Sequence, residues 1–114
     1  MKHPELSCMF TCPQPPIGDE RRMKHARREG IREGAPTIVL PLRVRESSGL
    51  YIWFVAKGSA LTKRQRMMMI AIEKAGGRTA VARSVADAVR LVAIYAGLPV
   101  PIEYRMLPTE VGNG

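Results

Sequence analysis

From Thr37 to Arg45 apolar and other positions alternate with period two. Ile38, Leu40, Leu42 and Val44 fall on one face, and Thr37, Val39, Pro41, Arg43 and Arg45 on the other. The alternation predicts a half-buried strand, with Pro41, which has no N–H for a ladder, marking an edge or a bulge. Leu50 to Ala56 is continuously apolar, the pattern of a central strand covered on both faces. Thr62 followed by Gln65 is a capping box that opens a helix through Ala75, with Met68, Ala71, Ile72 and Ala75 at helical spacing and Gly76-Gly77 closing it. Residues 78–83 read as a short strand. Ser84 with Asp87 caps a further helix, whose stripe is Val85, Ala88, Val89, Val92 and Tyr95 and whose end is Gly97.

The flanks read differently. Residues 1–19 are an extended lead rich in Pro, with a short strand expected within Leu6 to Thr11. Residues 20–29 contain neither Gly nor Pro and read as a helix closed by Gly30; Gly34-Ala35-Pro36 reads as a turn and residues 46–49 as a hairpin loop. Beyond Gly97 three prolines predict an irregular tail, residues 98–114, with a short strand at Ile102 to Met106. The order helix, strand, strand, helix, strand, helix over residues 20–97 predicts a small α/β layer fold in one domain.

Charge adds the first functional hint. Lys and Arg total 18 against 10 Asp and Glu, a formal charge of +8, while 46% of residues are apolar, enough for a packed core. The cations cluster: Arg21, Arg22, Lys24, Arg27, Arg28 and Arg32 stand between Glu20 and Glu33, and Lys63, Arg64 and Arg66 open another segment. A solvated helix face is the ordinary fate of one such run; two in so basic a chain favour a polyanion as partner. No apolar run reaches the about 18 residues of a membrane helix and no signal-peptide core is present, which implies a cytoplasmic protein. Cys8 and Cys12 are too few for a disulfide framework or a four-ligand zinc site and read as buried small hydrophobes. His3 and His25 have no partner ligands nearby in sequence. Trp53, the sole tryptophan, reads as core on a buried strand, with a plug of a cleft or a stacking platform as the alternatives. Of Met67, Met68 and Met69, not all can face inward, so at least one is expected on a boundary.

Gly34-Ala35-Pro36-Thr37-Ile38-Val39-Leu40-Pro41, Gly49-Leu50-Tyr51-Ile52, Leu61-Thr62-x-x-Gln65, Ala75-Gly76 and Val81-Ala82-Arg83-Ser84 form a chain of landmarks. In order and spacing they resemble the virus-type replication-repair nuclease (VRR-NUC) domain, a branch of the PD-(D/E)XK nucleases found in phages and bacteria. Pro4-Glu5-Leu6 through Pro13, and Gly30-Ile31-Arg32-Glu33-Gly34, resemble the family's approach to these motifs, so the likeness covers residues 4–97. It implies a small mixed sheet flanked by helices, a homodimer and a phage-derived protein. It also implies that the family's N-terminal helix is lacking, which leaves apolar sheet surface for a dimer partner or the Pro-rich tail to cover.

The family's chemistry uses an Asp at the start of the second core strand and a Glu on the third to hold Mg²⁺ or Mn²⁺, and a Lys two residues past that Glu. In the register of the resemblance these slots hold Thr37, Trp53 and Val55. Sliding the frame does not restore the set, because Leu50 to Lys57 contains no Asp or Glu, and Glu33 and Glu46 fall in expected loops. The resemblance therefore implies a pseudoenzyme: no catalytic residue, no metal site and no cofactor. The expected function is sequence-tolerant DNA binding through Arg21, Arg22, Lys24, Arg27, Arg28, Lys63, Arg64 and Arg66. Two alternatives are a protein-interaction module, a decoy or inhibitor of a host defence nuclease that uses Trp53 and Val55 as an apolar patch, and a Mg²⁺- or Mn²⁺-dependent endonuclease working through displaced acids.

Overall fold

The computed structural model describes residues 4–12 and 34–105. The helix expected over residues 20–29 lies outside them. Four strands, β1 (Phe10–Thr11), β2 (Ile38–Leu40), β3 (Leu50–Phe54) and β4 (Arg78–Ala82), form one sheet in the order β1-β2-β3-β4. β1, β2 and β3 pair antiparallel, and β4 pairs parallel to β3. The crossover between the parallel pair is α1 (Lys63–Lys74); α2 (Val85–Ala96) follows β4, and α3 (Ile102–Arg105) is a single turn.

Side-chain alternation sends the two sheet faces to different helices. Leu40, Leu50, Ile52 and Ala82 point one way and pack with Ala88 and Val92 of α2, with Leu6, Met9 and Phe54 closing around them. Val39, Trp53 and Val55 are buried on the opposite face. That face carries α1: the Thr79 hydroxyl donates to the Glu73 carboxylate, and the tight turn after α1 leaves Gly77 against the Tyr51 ring, where a Cβ would come within 2.7 Å of the ring. The caps are those the sequence announces. Thr62 Oγ1 accepts from Gln65 N at 3.1 Å while Gln65 Oε1 accepts from Thr62 N at 2.8 Å, and Ser84 Oγ accepts from Asp87 N. Asp87, buried, also accepts from Arg83 N and from Arg90, whose guanidinium reaches on to the Tyr104 carbonyl and so ties α3 to α2.

Several expectations are corrected. The strand expected over residues 37–45 stops at Leu40, because Pro41 cannot donate and Leu42 N turns back to the Leu40 carbonyl at 2.8 Å. A Val44–Ser47 bridge then closes a turn in which Arg45 takes a left-handed φ of 55°, and the Tyr95 hydroxyl pins this excursion by donating to the Leu42 carbonyl at 2.6 Å. Val39, on the face opposite Ile38 and Leu40 in a strand expected to be half-buried, is itself buried, as are Trp53 and Val55 on the same face. The lead forms a short 3₁₀ turn, Pro4–Leu6, and only two residues of strand, since Ser7 N and Met9 N return to the Pro4 and Leu6 carbonyls. Ile102–Arg105 is helical rather than extended, with Tyr104 N bonded to the Pro101 carbonyl. On α1 the half-buried positions are Gln65, Met68, Met69 and Ile72; Ala71 and Ala75 are exposed, as is Met67, so the methionine run straddles a boundary. Val85 and Cys8 are exposed rather than buried: Val85 sits in the first turn of α2 beyond the reach of the core, and Cys8 lies on the turn after the 3₁₀ segment. On the α2 face Leu98, Pro99 and Pro101 line an apolar groove of about 360 Å³ with Leu6 and Met9, so the tail's prolines reach that surface without filling it.

Candidate functional site

The three slots expected to carry chemistry come together across β2 and β3. Continuing the β2–β3 register one step past Ile38 and Ile52 sets Thr37 opposite Trp53, and Thr37 N donates to the Ile52 carbonyl at 2.7 Å. Thr37 Oγ1 is taken up locally, accepting from Phe54 N at 3.1 Å. The same row extends to both sides, through Cys12, whose N–H donates to the Thr37 carbonyl, and Val81, the parallel partner of Trp53. Val55 follows β3 on the Trp53 face, its N–H held by the Ala82 carbonyl at 3.0 Å.

Trp53 fills the centre of this row. Its side chain is 0% exposed, and its indole N–H donates to the Gly34 carbonyl at 2.8 Å. Gly34 is in turn pressed on the first turn of α1: a Cβ there would stand 2.7 Å from the Arg64 carbonyl carbon and oxygen, and its φ of +83° is one that L side chains rarely adopt. Gly34 is thus held between the indole and the helix backbone. Gly34→Ala is expected to destabilise the fold by about 1–3 kcal/mol through that clash and backbone strain; urea unfolding followed by Trp53 fluorescence measures it.

The first turn of α1 and the loop before it are basic. Lys63, Arg64 and Arg66 are exposed on the first turn of α1, where the helix dipole adds partial positive charge. Arg66 also donates to the Leu61 carbonyl at 2.9 Å. The Arg83 guanidinium clips the loop that precedes α1, donating to the Ala56 and Ser59 carbonyls at 2.9 and 3.0 Å, and exposed Lys57 lies on that loop. The sequence carries no Asp or Glu between Glu46 and Glu73, so no carboxylate from this stretch offsets these cations. Burial raises the Cys12 thiol pKa, which keeps it protonated and a poor nucleophile at neutral pH.

A hard divalent cation needs several carboxylate or carbonyl oxygens. Thr37 offers one hydroxyl already engaged with the backbone, and Trp53 and Val55 offer no oxygen, so these side chains do not fit such an ion. Among the described residues no three His, Cys, Asp or Glu come together as a metal site. The apolar surface patch expected from Trp53 and Val55 is not present either, because both are buried. Arg21, Arg22, Lys24, Arg27 and Arg28 lie outside the described residues, as do Asp19, Glu20, Glu29 and Glu33. Among the described residues no helix is long and apolar enough to cross a membrane.

No family model and no curated protein matches the sequence. Among solved structures, a VRR_NUC domain protein superposes with a TM-score of 0.64 at 19% identity, over 81% of this chain and 69% of that one. This chain has the VRR-NUC fold. The three antiparallel strands, the crossover helix and the parallel fourth strand fit the PD-(D/E)XK-type core that the VRR-NUC landmarks imply. Within that core, sequence reasoning placed Thr37, Trp53 and Val55 on neighbouring strands but did not reach what surrounds them. Gly34 read as a turn residue and as a landmark of the resemblance, not as the acceptor of the Trp53 indole, and the Arg83 clip is invisible without the parallel β3–β4 pairing.

Proposed function

We propose that this VRR-NUC-fold domain binds DNA without cutting it, through phosphate contacts from Arg21, Arg22, Lys24, Arg27 and Arg28 together with Lys63, Arg64 and Arg66. The observation that supports this reading is Trp53, the residue that the resemblance aligns with the family's third-strand carboxylate, fully buried and bonded to the Gly34 carbonyl near an α1 terminus that carries Lys63, Arg64 and Arg66. Burial of the indole leaves no room for a water-bearing metal at that position, while the surface above retains what phosphate binding requires. Sequence-tolerant contact follows from the chemistry, since clustered Arg and Lys read backbone charge rather than base edges. The family's setting in phages and bacteria fits a phage-derived nuclease fold retained for binding.

The decisive experiment incubates purified protein with nicked and branched DNA in the presence of Mg²⁺ or Mn²⁺. A mobility shift at low salt with no cleavage products is expected. Cleavage by the wild type that an Arg27→Ala preparation lacks would restore the endonuclease reading. Absence of any shift at low salt overturns the binding reading.

A further inference from the structure

The backbone ladder fixes which groups of β4 are spare. Arg78 N donates to the Gly49 carbonyl and the Ala82 carbonyl accepts from Val55 N, so Arg78, Ala80 and Ala82 turn their N–H and C=O groups to β3. The residues between them face the other way. The N–H and C=O groups of Thr79 and Val81 therefore lie on the outer edge, where among the described residues no strand pairs. The chain itself stops that edge at both ends: Gly77 N returns to the Ile72 carbonyl, and Arg83 N donates to the Asp87 carboxylate. Between these stops nothing blunts it, since residues 79–82 contain no proline and no charge. A groove runs beside the edge. Arg78, Ala80 and Ala82 share the α2 face of the sheet with Leu50 and Ile52, and because Ala80 is small, a space of about 860 Å³ stays open between Leu91 and Ile94 of α2 and the Val44–Ser47 turn. Ile94 is 70% exposed there. Arg45 and Arg78 stand exposed along the same groove, neither guanidinium with a hydrogen bond or ion pair among the described residues, against one exposed carboxylate, Glu46.

We infer that β4 takes up an extended, acidic segment of a different protein as an added strand. Main-chain bonds to a free edge supply affinity, and alternate side chains reaching beside it supply specificity. A segment lying antiparallel exchanges both bonds with Thr79 and both with Val81, and sends the residue between those pairs over Ala80 into the groove. The residue two further along comes opposite Arg78. The groove therefore selects a leucine-sized side chain at the first position, and Arg78 with Arg45 selects aspartate or glutamate at the second. A second copy of this chain supplies neither. In the same register it sets Ala80 against Ala80 and Ala82 against Arg78, which leaves the groove open and the guanidinium groups unmatched. The groove lies at the start of β4, whereas the Arg83 clip to the loop before α1 follows its end, so the inference goes beyond the DNA-binding reading and does not depend on it.

The probe is a fluorescent, end-blocked peptide, Ser-Thr-Val-Leu-Thr-Glu-Ser, titrated with the full chain and read by anisotropy. Saturable binding with a Kd below about 1 mM is expected. Alanine in place of the leucine should weaken it roughly tenfold. N-methylation of the valine and of the second threonine, which removes the two N–H donors to the edge, should abolish it. Arg78→Glu, at an exposed position, should weaken binding about fivefold and make the chain prefer a peptide with lysine in place of the glutamate. Ile94→Glu should abolish peptide binding and leave the DNA mobility shift as in the wild type, and circular dichroism confirms that both variants are folded. In the free protein the Thr79 and Val81 amides should exchange faster than those of Ala80 and Ala82, and the peptide should slow them. Absence of saturable binding, equal binding of the N-methylated or the lysine peptide by the wild type, or Thr79 and Val81 amides as protected as their neighbours in the free protein overturns the inference.

Discussion

Trp53→Ala is expected to lower the free energy of unfolding by about 3–5 kcal/mol, the cost of removing a large aromatic from a packed site that cannot collapse around the gap. A domain of this size has about 5–15 kcal/mol to lose, so the variant should melt far below the wild type. The magnitude follows from position. The indole is fully buried, and its N–H donates to the Gly34 carbonyl at 2.8 Å. Trp53→Phe keeps most of the apolar volume but loses the hydrogen bond to Gly34, and is expected to cost about 1–3 kcal/mol. Chemical denaturation followed by circular dichroism measures both. The pair also decides between a plug and a stacking platform. A platform variant would lose DNA affinity at unchanged stability, whereas a plug variant loses stability first. Because Trp53 is the sole tryptophan, its native fluorescence is a direct check, with emission expected to be blue-shifted and poorly quenched by iodide until the chain unfolds.

What was legible in the sequence were features encoded by neighbours along the chain. Both long helices start at their caps, Thr62 with Gln65 and Ser84 with Asp87, because each cap is a local hydrogen-bond exchange that needs no tertiary contact. β3 was legible because a strand covered on both faces is apolar throughout. Less was legible where one residue decides a boundary against the pattern. The alternation through Val44 is real, yet Pro41 ends β2 after three residues, and Tyr95, more than fifty residues downstream, holds the loop that follows. Val39 was misassigned because period two says only that faces differ, not that one of them is open. The site shows the same division. Thr37, Trp53 and Val55 could be placed on neighbouring strands from their landmarks, but the Trp53–Gly34–Arg64 stack joins three segments brought together only by the β3–α1–β4 crossover. No local periodicity encodes that.

Charge removal at the basic clusters is expected to have the largest effect on function, and salt is the instrument that reads it. If the eight cations Arg21, Arg22, Lys24, Arg27, Arg28, Lys63, Arg64 and Arg66 all meet phosphates, duplex binding should weaken with a log–log salt slope of about −7, a loss of roughly 10⁴-fold between 50 and 200 mM. Replacing Lys63, Arg64 and Arg66 together with alanine should flatten the slope to about −4 to −5, since each lost contact removes about 0.9. The fold should survive, because these side chains are exposed and the helix start is held by Thr62 and Gln65. Reversing Arg27 and Arg28 to glutamate should abolish binding, since two phosphate attractions become repulsions beside the remaining cations. Fluorescence anisotropy across a salt series measures all of these on one duplex. A wild-type slope near zero means that phosphate neutralisation does not drive the contact, and the α1 terminus then has to be read as a solvated helix end. A steep slope that the triple alanine variant leaves unchanged assigns the contacts to residues 21–28 alone. That would separate the surface that meets DNA from the buried row centred on Trp53.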